Sequence, residues 1–268
     1  MSGLALDLAC ALNPVVFARR LGIEPDPWQA ALLVSESREV ILNCSRQSGK
    51  STITAVLALH RARFRPRGSG PLTVLLLSPS MRQSGELYKK VTDSQAKLGD
   101  EVVESETVGE LALKNGSRII CLPGNASTVR GYSAGLCIID ECAHVEGDDL
   151  YQAVRPMLAV TGGRLILLST PWGKRGFYHA VWTFGGLSWE RILVTASECP
   201  RIDPAWLANE RKQLSEWQFR QEYECSFEDA EGSLFKHDTV LAALDDDLEP
   251  WFTETPELAL AAAGGTTC

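Results

Sequence analysis

Six short apolar runs punctuate the chain: VILN (40–43), TVLLLS (73–78), RIICL (118–122), LCIID (136–140), RLILLS (164–169) and RILV (191–194). Their hydrophobic positions are consecutive rather than alternating. Each run therefore predicts a strand buried on both faces, as in a parallel sheet covered by helices. Between several of them, apolar positions recur at helical spacing, in STITAVLALHRARF (51–64), SGELYKKVTDSQAKL (84–98) and DDLYQAVRPML (148–158). This alternation predicts an α/β fold, a mostly parallel, doubly wound sheet with helices on both faces. From Pro204 the pattern changes. Asp203 as N-cap and Pro204 at the first helical position start one long amphipathic helix over 204–224, with Trp206, Leu214, Trp217 and Phe219 available for packing. The expected organisation is one domain over 1–235, closing in a helical subdomain at about 200–235, then an acidic linker or tail over 236–268.

Composition narrows the class. The chain has 268 residues, 45% hydrophobic and 22% charged, enough to bury a sizeable core without covalent staples. Eight cysteines form no C-x-x-C pair, and several lie in apolar runs. They read as small, reduced, intracellular core side chains rather than a disulfide frame or zinc site. The N-terminus lacks the basic segment of a signal peptide, and no run reaches transmembrane length, so no membrane partner is expected. The net charge of −8 argues against a protein that simply coats nucleic acid, but the charge is polarised. Residues 1–100 hold 13 Lys/Arg against 8 Asp/Glu, and residues 201–268 hold 5 against 15. A transient polyanion contact in the first half stays open, beside ordinary solvated charge.

The chemistry gathers after the first apolar run. CSRQSGKST, Cys44 to Thr52, follows a buried strand and precedes a helix, which is where a phosphate loop must sit for its amides and helix N-terminus to face an anion. Gly49 lets the backbone approach phosphate, Lys50 reaches the β- and γ-phosphates, and the Ser51 hydroxyl is placed for Mg²⁺. The usual first glycine is replaced by Cys44, and Arg46 sits inside the loop. A second half-site is GLCIIDECAH, an apolar strand ending in Asp140 and Glu141. Adjacent carboxylates there need a cation or solvent, so Asp140 is assigned to magnesium and Glu141 to the attacking water. A third strand ends in Ser169, Thr170 and Pro171, hydroxyls able to sense the γ-phosphate or, alternatively, an ordinary turn. Upstream, Trp28 and Gln29 precede the first strand. A glutamine amide can read an adenine edge, although a capped helix explains the pair as well.

In this order the residues resemble the ATPase region of the large terminase subunit of tailed bacteriophages, over about residues 15–240. That family carries a phosphate loop of the form R-Q-x-G-K-S/T, here Arg46, Gln47, Ser48, Gly49, Lys50 and Ser51, with Ser45 and Thr52 flanking it. The resemblance accounts for the missing first glycine. It matches Asp140–Glu141 to the acidic pair, Ser169–Thr170–Pro171 to the coupling motif, Trp28–Gln29 to the adenine motif, and Arg130 in RGYSAGLCIIDE to a candidate arginine finger. It implies a P-loop NTPase core of the ASCE type, ATP and Mg²⁺ as cofactors, and hydrolysis coupled to translocation of double-stranded DNA. It further implies a homo-oligomeric ring on the capsid portal, a small terminase subunit as partner, and action in the host cytoplasm, transiently on the procapsid. The family usually continues into an RNase-H-like nuclease domain. Asp245, Asp246 and Asp247 have no preceding apolar strand, so no nuclease activity is expected from this chain. A helicase-like or remodelling ATPase with the same core is the alternative reading, and a non-catalytic scaffold with a dead nucleotide fold is a third.

Overall fold

All six apolar runs become parallel strands, and two further strands join them. They are β1 (Glu39–Cys44), β2 (Thr73–Ser78), β3 (Val103–Glu106), β4 (Glu110–Leu113), β5 (Arg118–Pro123), β6 (Leu136–Asp140), β7 (Arg164–Ser169) and β8 (Trp189–Val194). In this computed structural model, which describes residues 3–65, 68–99, 101–229 and Thr239, the sheet order is β3-β4-β5-β2-β6-β7-β1-β8. From β5 to β8 every neighbouring pair is parallel, and β3 and β4 extend the β5 edge antiparallel. The hairpin escaped the periodicity because it has no apolar run. Its β3 strand, VESE, is exposed along most of its length, and only Leu111 and Leu113 of β4 are buried.

The continuous runs hide a period of two. Val40 and Leu42 of β1, Val74 and Leu76 of β2, Ile138 of β6, and Ile166 and Leu168 of β7 enter one core. Their neighbours Ile41, Leu75, Leu77, Cys137, Ile139, Leu165 and Leu167 enter the other. Alternate side chains leave a strand on opposite faces, so helices on both sides require apolar residues at every position. The first face is covered by α1 (Gly3–Leu12), α2 (Pro14–Arg20), α3 (Pro27–Val34), α4 (Lys50–Arg63) and α5 (Met81–Ala96), and the second by α6 (Ala126–Val129), α7 (Asp149–Thr161) and α8 (Gly176–Phe184). Helix α4 is buried on most of its surface, ten of fourteen residues, as expected of a helix in the middle of a layer. Seven cysteines among the described residues are free and buried, in keeping with small core side chains. Among the described residues no helix is long and apolar enough to cross a membrane.

The helix expected over 204–224 is broken. It forms α9 (Pro204–Gln213) and α10 (Glu216–Tyr223). Leu214 is extended, and Ser215 caps α10 in a capping box with Gln218. A Ser followed three residues later by Gln marks a helix start, and here it overrides the amphipathic period. The compact unit spans Met1–Glu228, and the Asp245–Asp247 cluster lies outside the described residues.

Asp140 and Ser169 end adjacent strands, and β7, the strand between β6 and β1, pairs Ser169 with Asn43 just before Cys44. Three carboxyl ends thus converge, which is where open α/β sheets take ligands. The packing that fixes them is testable. Leu76→Ala, at a fully buried position in β2, should lower unfolding free energy by about 2–5 kcal/mol. Urea denaturation should show the midpoint fall with an unchanged slope.

Candidate active site

The loop after β1 turns sharply. Gln47 and Gly49 both take positive φ, 61° and 87°, and Gly49 caps the start of α4. The φ of 87° is what favours glycine at Gly49; a Cβ there would also press on the side-chain ends of Gln29 and Arg201, 2.8 Å and 3.2 Å away, which would have to shift. Lys50 opens the helix and is 6% exposed. Its ammonium donates to Thr170 Oγ1 at 3.2 Å and lies 3.5 Å from Glu141 Oε1. Thr170 in turn donates to the Cys44 carbonyl at 3.1 Å. One chain of polar contacts therefore joins β1, β7 and the residue after β6.

Asp140 is buried, and its carboxyl is pushed up to about 6, first by burial and then by the Glu141 charge, against hydrogen bonds from Ser51 and the Glu141 amide and the charge of Lys50. The Glu141 amide donates to Asp140 Oδ1 at 2.9 Å. Glu141 itself is in the left-handed region, φ 53°, a conformation that costs a non-glycine residue of order 1 kcal/mol or more. It turns the Glu141 side chain toward Lys50 and Ser169, whose hydroxyl lies 3.4 Å from Glu141 Oε2. Ser169 Oγ also accepts the Ala143 amide at 3.2 Å.

Lys50 and Glu141 open onto a cleft of about 630 Å³, with Asp140, Ser169 and Thr170 behind its lining. Arg46, Gln47, Gly49, Lys50, Ser51 and Thr52 line it with Glu141, and α5 adds Gln83 and Lys90. His144 completes the wall. Burial holds its imidazole below the ordinary value, and its ring lies 4.8 Å from that of Trp172.

Several expected residues make other contacts as well or lie off the cleft. Ser45 is buried against Cys199, 3.8 Å from its sulfur, and faces the core. The Ser48 hydroxyl is buried beside the Cys44 thiol rather than open to the cleft. The Trp28 ring packs against the first-face core. Gln29 has both ends engaged: Oε1 accepts the Asp26 amide at 3.0 Å and Nε2 donates to the Ser48 carbonyl at 3.4 Å. Pro171 is buried behind the hydroxyl pair. Arg46 points to α10, with Nε 2.5 Å from Glu222 Oε2. Arg130 is exposed at the end of α6, outside the cleft lining. Sequence reading missed Gln83, Lys90, His144, Glu222 and Arg201. Of these only His144 adjoins a recognised motif, and the others reach the loop through tertiary contacts.

The cleft suits a polyphosphate with its cation. It offers a buried ammonium, loop amides and a helix N-terminus for the anion. Asp140 with the Ser51 hydroxyl offers hard oxygen donors of the kind Mg²⁺ takes. Among the described residues no group of three or more His, Cys, Asp or Glu could hold a metal alone, so phosphate and water oxygens would fill the remaining positions.

A family model described as the N-terminal region of the T4-type large terminase subunit matches residues 41–240. The chain belongs to this family. The large terminase subunit of Escherichia phage T5 is 28% identical over 225 residues, 80% of this chain and 50% of that protein. The chain spans about half the length of the curated relatives it matches. The ATPase domain of the large terminase of Thermus phage P74-26 superposes with a TM-score of 0.65 at 21% identity, covering 79% of this chain and 97% of that one. The large terminase of another thermophilic bacteriophage, solved with ATP-γ-S, gives 0.58 at 11% identity over 75% of this chain and 52% of that one. The fold of this terminase chain is thus that of large terminase ATPase domains, an eight-stranded mixed sheet in an α/β P-loop architecture.

Ionised Asp140 has a sign that can be measured in metal-free protein. Its carboxyl sits at about 6 in the fold against an ordinary 3.8. The folded state therefore binds the proton more tightly, and stability falls as pH rises from about 4 to about 6. Above that window the full penalty remains. Asp140→Asn removes it, so with EDTA at pH 8 the variant should be more stable than the native chain by on the order of 1 kcal/mol. At pH 4 the gain should vanish. Equal stability at both pH values, read from urea midpoints, would dismiss the buried charge as the cause.

Proposed function

We propose that this chain is the ATP-hydrolysing motor region of a phage large terminase, driving double-stranded DNA into a procapsid. The observation that carries the reading is the contact of Lys50 with both Glu141 and Thr170 across three strand ends. It brings a phosphate-loop lysine, a carboxylate and the coupling hydroxyls to one point.

Lys50 and the loop amides bind the triphosphate. Ser51 and Asp140 would hold Mg²⁺, which would supply positive charge to the phosphate oxygens. Glu141, held by its left-handed backbone beside Ser169, orients the attacking water and takes up its proton. Thr170 follows the position of the Lys50 ammonium, so loss of the γ-phosphate changes a contact just beyond the end of β7. Arg46 or Arg130 supplies cationic charge to the developing transition state, an effect worth orders of magnitude in rate. Arg46 belongs to the same subunit's loop. Arg130, exposed on a Gly-containing segment, is the candidate to reach a neighbour's cleft in a homo-oligomeric ring. The portal, the small terminase subunit and the DNA are the remaining partners in this reading, and the host cytoplasm and procapsid its sites of action.

Two substitutions separate binding from chemistry. Lys50→Ala should lose triphosphate binding and turnover together. Glu141→Gln should bind ATP normally and hydrolyse it at least about 100-fold more slowly. Nucleotide affinity and steady-state turnover measure both, and full activity in Glu141→Gln removes that residue from its role.

Subunit mixing decides between the arginines. Arg130→Ala subunits keep an intact loop, and Lys50→Ala subunits keep Arg130. Under assembling conditions a mixture should recover turnover that neither has alone if Arg130 acts in trans. Normal turnover by Arg130→Ala alone transfers the assignment to Arg46.

A further inference from the structure

The peptide joining Ser48 to Gly49 is pinned from outside the cleft. Its carbonyl accepts Arg201 NH2 at 2.5 Å and Gln29 Nε2 at 3.4 Å. Arg201 is itself fixed by Asp26, through NH1 to Oδ1 at 3.1 Å and NH2 to Oδ2 at 2.8 Å. Asp26 starts α3 in a capping box with Gln29. Four residues from three parts of the chain therefore close one network, Asp26–Gln29–Ser48–Arg201.

A trans peptide unit is planar, with its C=O and N–H pointing in opposite directions. Two donors on the Ser48 oxygen hold that oxygen on the outer side of the loop. The Gly49 N–H must then point to the opposite side, where Gly49, Lys50 and Ser51 line the cleft. Among the described residues nothing in the chain accepts that N–H. The opposite peptide orientation would put a carbonyl oxygen toward the anion, and a Gly49 free of Cβ can adopt it easily. An external clamp thus has a definite task. The charge on the guanidinium suits it, because a charge-assisted bond to the carbonyl outweighs a neutral one.

We propose that Arg201 is a positioning residue for the nucleotide's phosphates: with Asp26 and Gln29 it clamps the Ser48 carbonyl outward and so aims the Gly49 amide into the cleft. This rests on the nucleotide reading above and adds a residue far along the chain from the loop. It also gives Gln29 a bracing task, since both ends of its amide are already bonded.

The test measures binding of fluorescent ATP and ADP analogues with Mg²⁺ by anisotropy, and melting of the nucleotide-free protein. P-loop amides cradle the α- and β-phosphates, which both nucleotides share. Arg201→Ala should therefore weaken ATP and ADP alike, by about tenfold each. The nucleotide-free melting temperature should also fall, because the Asp26 carboxylate, only 10% exposed, loses its partner, so binding is read well below that melt. Guanidinium ion added to Arg201→Ala should restore part of the affinity, which a merely structural loss would not allow. Arg201→Lys keeps the charge with one donor direction and should fall between, and it decides the matter if the alanine variant does not fold. Native-like ATP and ADP affinity in Arg201→Ala, or in Arg201→Lys where only that variant folds, overturns the clamp. So does a loss confined to ATP, which would place Arg201 at the γ-phosphate. A native chain that binds neither nucleotide removes the nucleotide reading, and the clamp with it.

Discussion

A lysine ammonium held below the surface is the constraint around which this domain is arranged. Lys50 is 6% exposed and has one carboxylate, 3.5 Å away, and one hydroxyl, 3.2 Å away. Burying an ion is costly unless it is paired and hydrogen-bonded. The pairing here is loose enough that a more highly charged anion would improve it. To supply even these partners, the sheet must bring the ends of β1, β6 and β7 together, with β7 between the other two. The strand order is thus what makes the lysine tolerable and what leaves it available.

The acidic pair obeys the same logic from the other side. Asp140 lies behind the loop, where burial and Glu141 both resist its ionisation. Glu141 escapes by turning left-handed, φ 53°, and reaches Lys50 and Ser169 instead. Two carboxylates adjacent in sequence are separated in direction. A regular continuation of β6 would set alternate side chains on opposite faces and take Glu141 into the second-face core. Backbone strain of order 1 kcal/mol or more is small beside the cost of burying a second unpaired carboxylate there.

Legibility followed the range of the interactions. The strands of the parallel sheet could be read because burial on both faces writes itself into consecutive residues, as in TVLLLS and RLILLS. The loop, the acidic pair and the hydroxyls could be read because each sits where a strand ends. The β3–β4 hairpin could not, since its exposed positions carry Glu104 and Glu106 and only one face of β4 is apolar. The break at Ser215 was visible as a capping box but was outweighed by an amphipathic period that runs through it. Gln29 was read by the chemistry its amide could perform, whereas the fold uses both ends of that amide internally. Arg201 carries no local signal at all. Its importance comes from which carbonyl it meets, a fact of topology.

The helical segment after β8 is tied to the same centre by contacts of unequal strength, and the inequality is informative. Asn43, buried in β1, donates to the Cys225 carbonyl at 2.9 Å, which fixes the end of α10 to the core. Gln221, also buried, accepts the Gly173 amide at 3.3 Å, two residues beyond Pro171. Breaking either strands a buried polar group, a loss of about 1–3 kcal/mol. The Arg46–Glu222 pair is lopsided: the arginine side chain is 61% exposed, whereas the glutamate is 20% exposed and its Oε2 is buried. An exposed ion pair contributes about 1 kcal/mol or less, but a carboxylate oxygen left buried without its cation costs more. An anion in the cleft can therefore draw the Arg46 side chain away only if it outweighs what Glu222 loses. Asn43 and Gln221 meanwhile keep α10 in register, so the loop arginine is held between two anionic demands rather than free.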